Sequence, residues 1–423
     1  MAGRVDARGD LDGRGFQTHR SESAALRWSR VAALVAVLPL FGQSFHYVKD
    51  LAPLWALSKV FPIVSLPLAF FLLAGDRPTA ARQVLISCVW LTLVPTFVAI
   101  GTFQQTFFIG LAAQIKLLPL LYFFSFLGFL RWLRPTMREV AAGFLICAAI
   151  TALILLLLWA AAPQSWYKSH YVTGESPILS NDNRGNRIRM PMYFGLIGIF
   201  YCYRRFFVTR RPIWFVLAGI GFAMAMGIVR TRSTVLGLAA VGAITAFAAA
   251  SPRVRVALIA LIPVALAALF SVPYVASVFS TDSSSGFDVR WISTIKAISF
   301  LGTDPLRWLF GVGTISPVDP AGLMTYFNHF FFLADITWVG VVFEYGLFGA
   351  ALILAIPVRG LFLVRQARGG GEDPFLGALQ DYLLYAVLIS ELYPMTLAPG
   401  EFTVILAIAV FAIEQRRRPM VGQ

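Results

Sequence analysis

Apolar stretches separated by short polar connections occupy most of this chain. A bilayer core about 30 Å thick needs roughly 20 predominantly apolar residues in one helix, and windows on that scale mark twelve candidate spans. They run approximately over Val31–Gln43, Leu54–Ala74, Val84–Thr102, Phe107–Leu130, Val140–Ala162, Pro191–Phe207, Ile213–Val229, Thr234–Ala250, Val256–Val272, Phe331–Pro357, Leu376–Leu392 and Phe402–Ile413. The pattern predicts an all-α polytopic membrane protein with about twelve transmembrane helices.

Basic residues between these spans follow a regular alternation. If both termini lie in the cytoplasm, most of the 35 Lys and Arg residues fall on the cytoplasmic side, as the positive-inside rule requires. They occupy residues 4–30, 77–82, 131–138, 204–211, 253–255, 359–368 and 416–418. One missed helix would invert every later connection, so the alternation favours both the number of spans and their orientation.

The same pattern predicts one helical membrane domain, residues 27–415, between two polar tails. Residues 1–26 are rich in Arg, Gly and Asp and lack the apolar core of a cleavable signal, so they are predicted to form a disordered cytoplasmic tail. Residues 416–423 form a basic cytoplasmic tail. Two large periplasmic loops are predicted at about residues 163–190 and 273–330.

Composition narrows the class of protein further. A mean hydropathy of +0.74, with 58% hydrophobic and 13% charged residues, excludes a soluble globular domain. The net charge of +14 lies in short connections, where topology and anionic lipids account for it, so no nucleic-acid partner is predicted. Neither the cysteines, Cys88, Cys147 and Cys202, nor the four histidines show metal-site spacing, and no metal or cofactor is predicted.

Six of the arginines on the predicted outer side, against the prevailing bias, are candidates for a binding site. They are Arg184, Arg187 and Arg189 before one span, Arg230 and Arg232 between two spans, and Arg290 in an amphipathic run predicted to lie along the membrane interface. Guanidinium groups match phosphate oxygens, and several together would suit a pyrophosphate at headgroup level. The alternative is pairing with lipid headgroups or with nearby carboxylates, such as those of Glu175, Asp182, Asp282 and Asp288.

His329 stands among aromatic residues at the entry to a predicted span. It would act there as a base or donor near neutral pH, or only as an interfacial anchor. Asp304, Asp335 and Glu344 are alternative bases, and Asp335, nearly two helical turns deeper, would need an arginine partner if it were buried. Lys116 is a charge in the middle of a span, and it either snorkels to the interface or pairs with a residue that the sequence does not identify.

Several short motifs follow one another in the second half of the chain. In order, they are Thr231–Gly237, Asp288–Trp291, Leu309–Gly313, Asn328-His329 and Gly340–Gly349, preceded by the arginines from Arg184 onward. This series resembles the bacterial O-antigen polymerase and ligase superfamily, with Wzy-type polymerases and WaaL-type ligases. Within it, the sequence is most similar to polymerases of xanthan-type exopolysaccharides.

The resemblance implies a GT-C-like, metal-independent membrane glycosyltransferase that uses undecaprenyl-pyrophosphate-linked oligosaccharides as donors. Arg187 or Arg189 and Arg290 would hold the pyrophosphate, with Arg232 near them, while His329 would activate the acceptor hydroxyl. Arg184 and Arg230 remain further candidates for pyrophosphate binding. The chain has Arg-Ser-Thr at 232–234 where many relatives have Ser-Arg-Gly.

Three functions remain open at this point. A polymerase would join lipid-linked repeat units into exopolysaccharide or O-antigen at the periplasmic face of the inner membrane, with a flippase and chain-length or export proteins as candidate partners. A ligase would transfer the glycan to lipid A-core instead. The third candidate is a secondary transporter of an anionic substrate, although the two halves of the chain differ and the arginines lie at the membrane edge. The polymerase is the favoured prediction.

Overall fold

The computed structural model describes residues 27–45, 48–72, 79–169, 177–182, 185–257, 259–260, 287–315, 327, 331, 333, 336–391 and 395–417. Helices dominate these residues, and most apolar windows of the sequence coincide with one of them. In the first half the helices are α1 Trp28–Phe41, α2 Ala52–Val64, α3 Thr79–Phe103, α4 Phe107–Ala113, α5 Tyr122–Leu133 and α6 Met137–Ala161. Two 3-10 segments accompany them, Leu66–Leu72 after α2 and Gln114–Leu121 between α4 and α5.

A small sheet follows α6, within the first predicted periplasmic loop. Its strands are β1 Lys168–Ser169, β2 Leu179–Asp182 and β3 Gly185–Ile188, in the order β1-β2-β3. β1 pairs parallel to β2, and β2 pairs antiparallel to β3 with Ser180 opposite Arg187. The prediction of a helical membrane protein is confirmed, but it did not include this sheet.

Helices resume after the sheet. They are α7 Tyr193–Thr209, α8 Pro212–Met224, α9 Arg232–Ala249, α10 Phe287–Leu301, α11 Pro305–Phe310, α12 Thr337–Arg368, α13 Pro374–Leu388 and α14 Pro399–Arg417. Residues 252–257 and 259–260 are also helical. A π-helical turn, Ala225–Val229, extends α8 up to the left-handed Arg230.

Seven helical segments of the described chain are long and apolar enough to cross a membrane. They are Ala52–Leu72, Thr79–Phe103, Phe107–Leu133, Met137–Ala161, Pro212–Val229, Arg232–Ala249 and Thr337–Arg368, with α1 and α13 as shorter apolar helices. A multi-pass membrane protein is therefore indicated by length and composition. The predicted span Val256–Val272 lies mostly outside the described residues, and the number of twelve and the GT-C fold stay predictions.

Ion pairs gather at one end of the helix bundle, which we call the basic end. Arg131 of α5 binds Glu414 of α14 with a nitrogen–oxygen distance of 2.6 Å, and Arg204 of α7 binds Asp381 of α13 at 2.5 Å. Glu139, in the capping box that begins α6, accepts a hydrogen bond from the Arg27 backbone. The start of α1 and the end of α14 therefore lie together, in the up-and-down order that the alternation of basic loops predicts. Which side of a membrane the basic end faces stays a prediction.

Among the described helices, α14 is the most enclosed. Every residue from Pro399 to Ala412 is buried, so the helix has no long exposed face in its first four turns. It packs against α1, α5, α12 and α13. Thr403 fixes it to the interrupted part of the neighbouring helix, because its hydroxyl donates to the Pro119 carbonyl at 3.1 Å.

Two helix interruptions meet inside the bundle. One is the 3-10 segment Gln114–Leu121, and the other is Gly346 in α12, where φ is 67°. Lys116 Nζ lies 2.6 Å from Glu344 Oε2, and the Tyr345 hydroxyl donates to Gln114 Oε1 at 3.1 Å. The partner of the midspan Lys116 is thus Glu344, which the sequence suggested only as an alternative base.

The predicted amphipathic helix is present as α10, but its isoleucines do not form its packing face. Ser293, Ala297 and Leu301 are buried, whereas Ile292 and Ile295 are exposed. Ala297 and Leu301 belong to the same buried cluster as Phe343 of α12. The exposed isoleucines are what a helix along a membrane interface would turn toward lipid.

Candidate functional site

A cavity opens at the end of the bundle opposite the basic end. Its volume is about 400 Å³, and it lies where the β2–β3 hairpin, the start of α9, the end of α13 and the start of α14 converge. The polar and aromatic side chains that line it belong to Gln43, Arg187, Arg189, Tyr193, Thr231, Ser233, Thr234, Tyr382, Tyr385 and Glu401. The volume is in the range of sites for small molecules.

Two of the predicted arginines, Arg187 in β3 and Arg189 directly after it, extend to the same side of the hairpin. Arg187 and Arg189 are two residues apart, so both side chains leave the extended chain in the same direction. Both guanidinium groups donate through Nε to the Ser180 hydroxyl, at 3.3 Å from Arg187 and 3.1 Å from Arg189. Arg187 is buried, and both guanidinium groups contribute to the lining of the cavity.

Glu401 adds a carboxyl group to the lining of the cavity. It stands in the first turn of α14 and is buried, and its carboxylate accepts a short hydrogen bond from the Tyr382 hydroxyl. In the described part of the chain, no basic side chain forms an ion pair with this carboxylate. The positive end of the α14 dipole offsets part of the cost of burying it.

Backbone contacts fix Glu401 in place. The Gly400 N–H donates to Gln43 Oε1 at 2.8 Å, and the Tyr193 hydroxyl donates to the Glu401 carbonyl at 3.4 Å. A Cβ atom at Gly400 would lie 2.7 Å from the ring of Tyr122, so this close approach requires glycine. The sequence interpretation missed Glu401 and Tyr382, although a carboxylate beginning an apolar span in Pro399-Gly400-Glu401 was an available signal.

The other predicted arginines are distributed around this cavity. Arg232 begins α9 between Thr231 and Ser233, which both line the cavity. Arg230 follows the π-helical turn with φ of 53°, and its Nε donates to the Gly227 carbonyl at 2.8 Å. Arg230 lines a separate groove on the other side of the hairpin.

Arg290 lies on α10, which packs on α12 rather than on the hairpin. Its side chain is exposed. Arg184, His329 and Asp335 lie outside the described residues. The expected roles of Arg290 in pyrophosphate binding and of His329 in acceptor activation stay predictions. Asp304, another alternative base, caps α11 by accepting the Leu306 N–H at 2.9 Å.

The arrangement suits an anionic ligand that also presents a hydroxyl group. Two guanidinium groups can bind phosphate oxygens, while a carboxylate and three tyrosines across the cavity can orient or deprotonate a hydroxyl. Within the described residues, no three His, Cys, Asp or Glu side chains are grouped as metal ligands. Comparisons with protein-family models and with curated proteins find no match to this chain.

Proposed function

We propose that the protein is a membrane glycosyltransferase that polymerises undecaprenyl-pyrophosphate-linked oligosaccharide repeat units at the periplasmic face of the bacterial inner membrane. The observation that carries the proposal is the cavity that Arg187, Arg189 and the buried Glu401 line together. The resemblance of the motif series to polysaccharide polymerases agrees with it. In the orientation that the basic loops predict, the end of the bundle that holds the cavity faces the periplasm, where a lipid-linked donor from the outer leaflet would arrive.

The reaction requires stabilisation of a leaving phosphate and removal of a proton from the acceptor, and side chains that line the cavity can provide both. As the bond between the donor sugar and pyrophosphate breaks, negative charge grows on the leaving phosphate, and the two arginines would stabilise it. The acceptor hydroxyl forms the new glycosidic bond and gives up its proton. Glu401, which lines the cavity, and His329 are the two candidate bases for this proton.

The burial of Arg187 supports a role beyond topology. Arginines that only set orientation lie in exposed connections, whereas Arg187 is 8% exposed and shares the Ser180 hydroxyl with Arg189. Two guanidinium groups that line one cavity can bind the oxygens of a phosphate group.

The test uses purified full-length protein in nanodiscs with lipid-linked repeat units extracted from cells that lack it. Wild type should convert single repeats into long chains on the lipid. Arg187→Ala and Arg189→Ala should each slow chain formation about a hundredfold, the typical effect of losing one charge-stabilising donor. Arg253→Ala, an exposed arginine after α9, is the matched control and should retain the wild-type rate.

Other outcomes would point to other functions. Transfer of intact chains to added lipid A-core, without chain growth, would identify a ligase. A secondary transporter is the second candidate because Lys116 and Glu344 pair where two helices are interrupted, a feature of transporter substrate sites. Flux of an anionic substrate into proteoliposomes, with no chain growth, would establish it and refute the polymerase.

A further inference from the structure

The β2–β3 hairpin has a second face, which the proposed reaction does not use. Asn186 and Ile188 alternate with Arg187 and Arg189 along the chain, so their side chains leave β3 in the opposite direction. Ile188 is buried in a cluster with Leu155 of α6. The hairpin therefore separates the cavity from a groove on its other side.

This groove has a volume of about 340 Å³ and an unusual mixture of side chains. Trp159, Gln164, Tyr167, Asn186 and Arg230 line it, with Ala162, Ile188 and Ile228. The two amides are linked, because Asn186 donates to Gln164 through a short hydrogen bond. Arg230 lies beside the turn of the hairpin, with Nη1 3.0 Å from the position that a Cβ atom would take at Gly185.

We propose that this groove binds the saccharide part of the lipid-linked substrate; the inference rests on the proposed function. Sugar rings present apolar C–H faces, which stack on aromatic rings, and a rim of hydroxyl groups, which pair with amides and guanidinium groups. Trp159 and Tyr167 supply the rings, while Asn186, Gln164 and Arg230 supply donors and acceptors. One strand would then bind phosphate on one face and sugar on the other.

Position supports a saccharide over a lipid headgroup. A lipid phosphate would be drawn to the cavity, where two arginines lie together, whereas the groove has one arginine among neutral amides. The alternative explanation for Trp159 is that it only forms part of an aromatic belt at the membrane interface. Trp166 provides the comparison, because it is equally exposed, 60% for each residue, and does not line the groove.

The experiment measures binding apart from catalysis. Oligosaccharides obtained by partial acid hydrolysis of the polysaccharide that the cells secrete, free of lipid and phosphate, are added to full-length protein in nanodiscs. Saturation-transfer NMR should detect binding to wild type and to Arg187→Ala. Trp159→Ala and Asn186→Ala should each weaken binding about tenfold, whereas Trp166→Ala should match wild type.

A kinetic measurement completes the test. In the polymerisation assay, Trp159→Ala should raise KM for the lipid-linked repeat about tenfold while kcat stays within about twofold. Equal effects of Trp159→Ala and Trp166→Ala would mean that both residues act only as a membrane belt, and this would overturn the proposal. Absence of saccharide binding to wild type would also overturn it. Saccharide binding to wild type without chain formation would support the groove as a saccharide site and refute the proposed polymerase function.

Discussion

The pairing of Lys116 with Glu344 leads to a quantitative prediction about stability. The two charged atoms lie 2.6 Å apart, and the side chains are 24% and 10% exposed, respectively. Lys116→Met leaves Glu344 as a nearly buried charge with its partner removed, and Glu344→Gln leaves Lys116 in the same condition. The double variant removes both charges.

Breaking a buried ion pair from one side costs about 3–5 kcal/mol, whereas replacing both partners is often nearly neutral. Since Glu344 is the less exposed side chain, Lys116→Met should destabilise by about 4 kcal/mol and Glu344→Gln by about 3 kcal/mol. The double variant should lose only about 1 kcal/mol. The coupling free energy between the two sites should therefore be about 6 kcal/mol.

Unfolding in mixed micelles with increasing dodecyl sulfate, followed by circular dichroism, gives the free energies of unfolding for the cycle. The exposed pair Asp304–Arg307, with both side chains 46% exposed, is the control, and its coupling should stay below about 1 kcal/mol. Additive losses from Lys116→Met and Glu344→Gln would refute the argument, because they would mean that neither charge depends on the other.

Three further predictions concern single positions. Gly346→Ala should reduce the yield of folded protein, measured by size-exclusion chromatography, since φ at Gly346 is 67° and a Cβ atom would collide with a carbonyl group. The control Gly219→Ala should leave the yield unchanged, because the space around Gly219 is open. Glu401→Gln should slow chain formation at least a hundredfold with KM retained, whereas the exposed Glu391→Gln should remain active. Thr136→Ala removes a capping box and should cost about 1 kcal/mol in the same unfolding assay.

The helices were largely predictable because a membrane span is encoded by local composition. The window Val84–Thr102 falls within α3, and Val140–Ala162 overlaps α6 closely. The sheet was not predictable in the same way. β2 reads Leu179-Ser-Asn-Asp182, which lacks the alternation of a half-buried strand, so only its pairing with β3 identifies it.

The site was predictable in part, for a related reason. Misplaced charge identified Arg187 and Arg189, because the positive-inside rule makes such residues visible in the sequence. The partner of Lys116 was not visible, since Glu344 is 228 residues away and only the fold brings them together. Glu401 was not predicted because a single acidic residue at the start of a helix is an ordinary feature that the helix dipole explains. Only the structure shows the cavity beside it.

The enclosure of α14 has a consequence for how the protein is made. Its first fourteen residues, Pro399–Ala412, are buried among helices that the ribosome completes earlier. The helices that precede α14 in the chain are therefore synthesised before the helix on which they pack, and they can complete their packing only after residues 399–412 have been made. Without this segment, the apolar surfaces that α1, α5, α12 and α13 pack on α14 would be exposed to lipid.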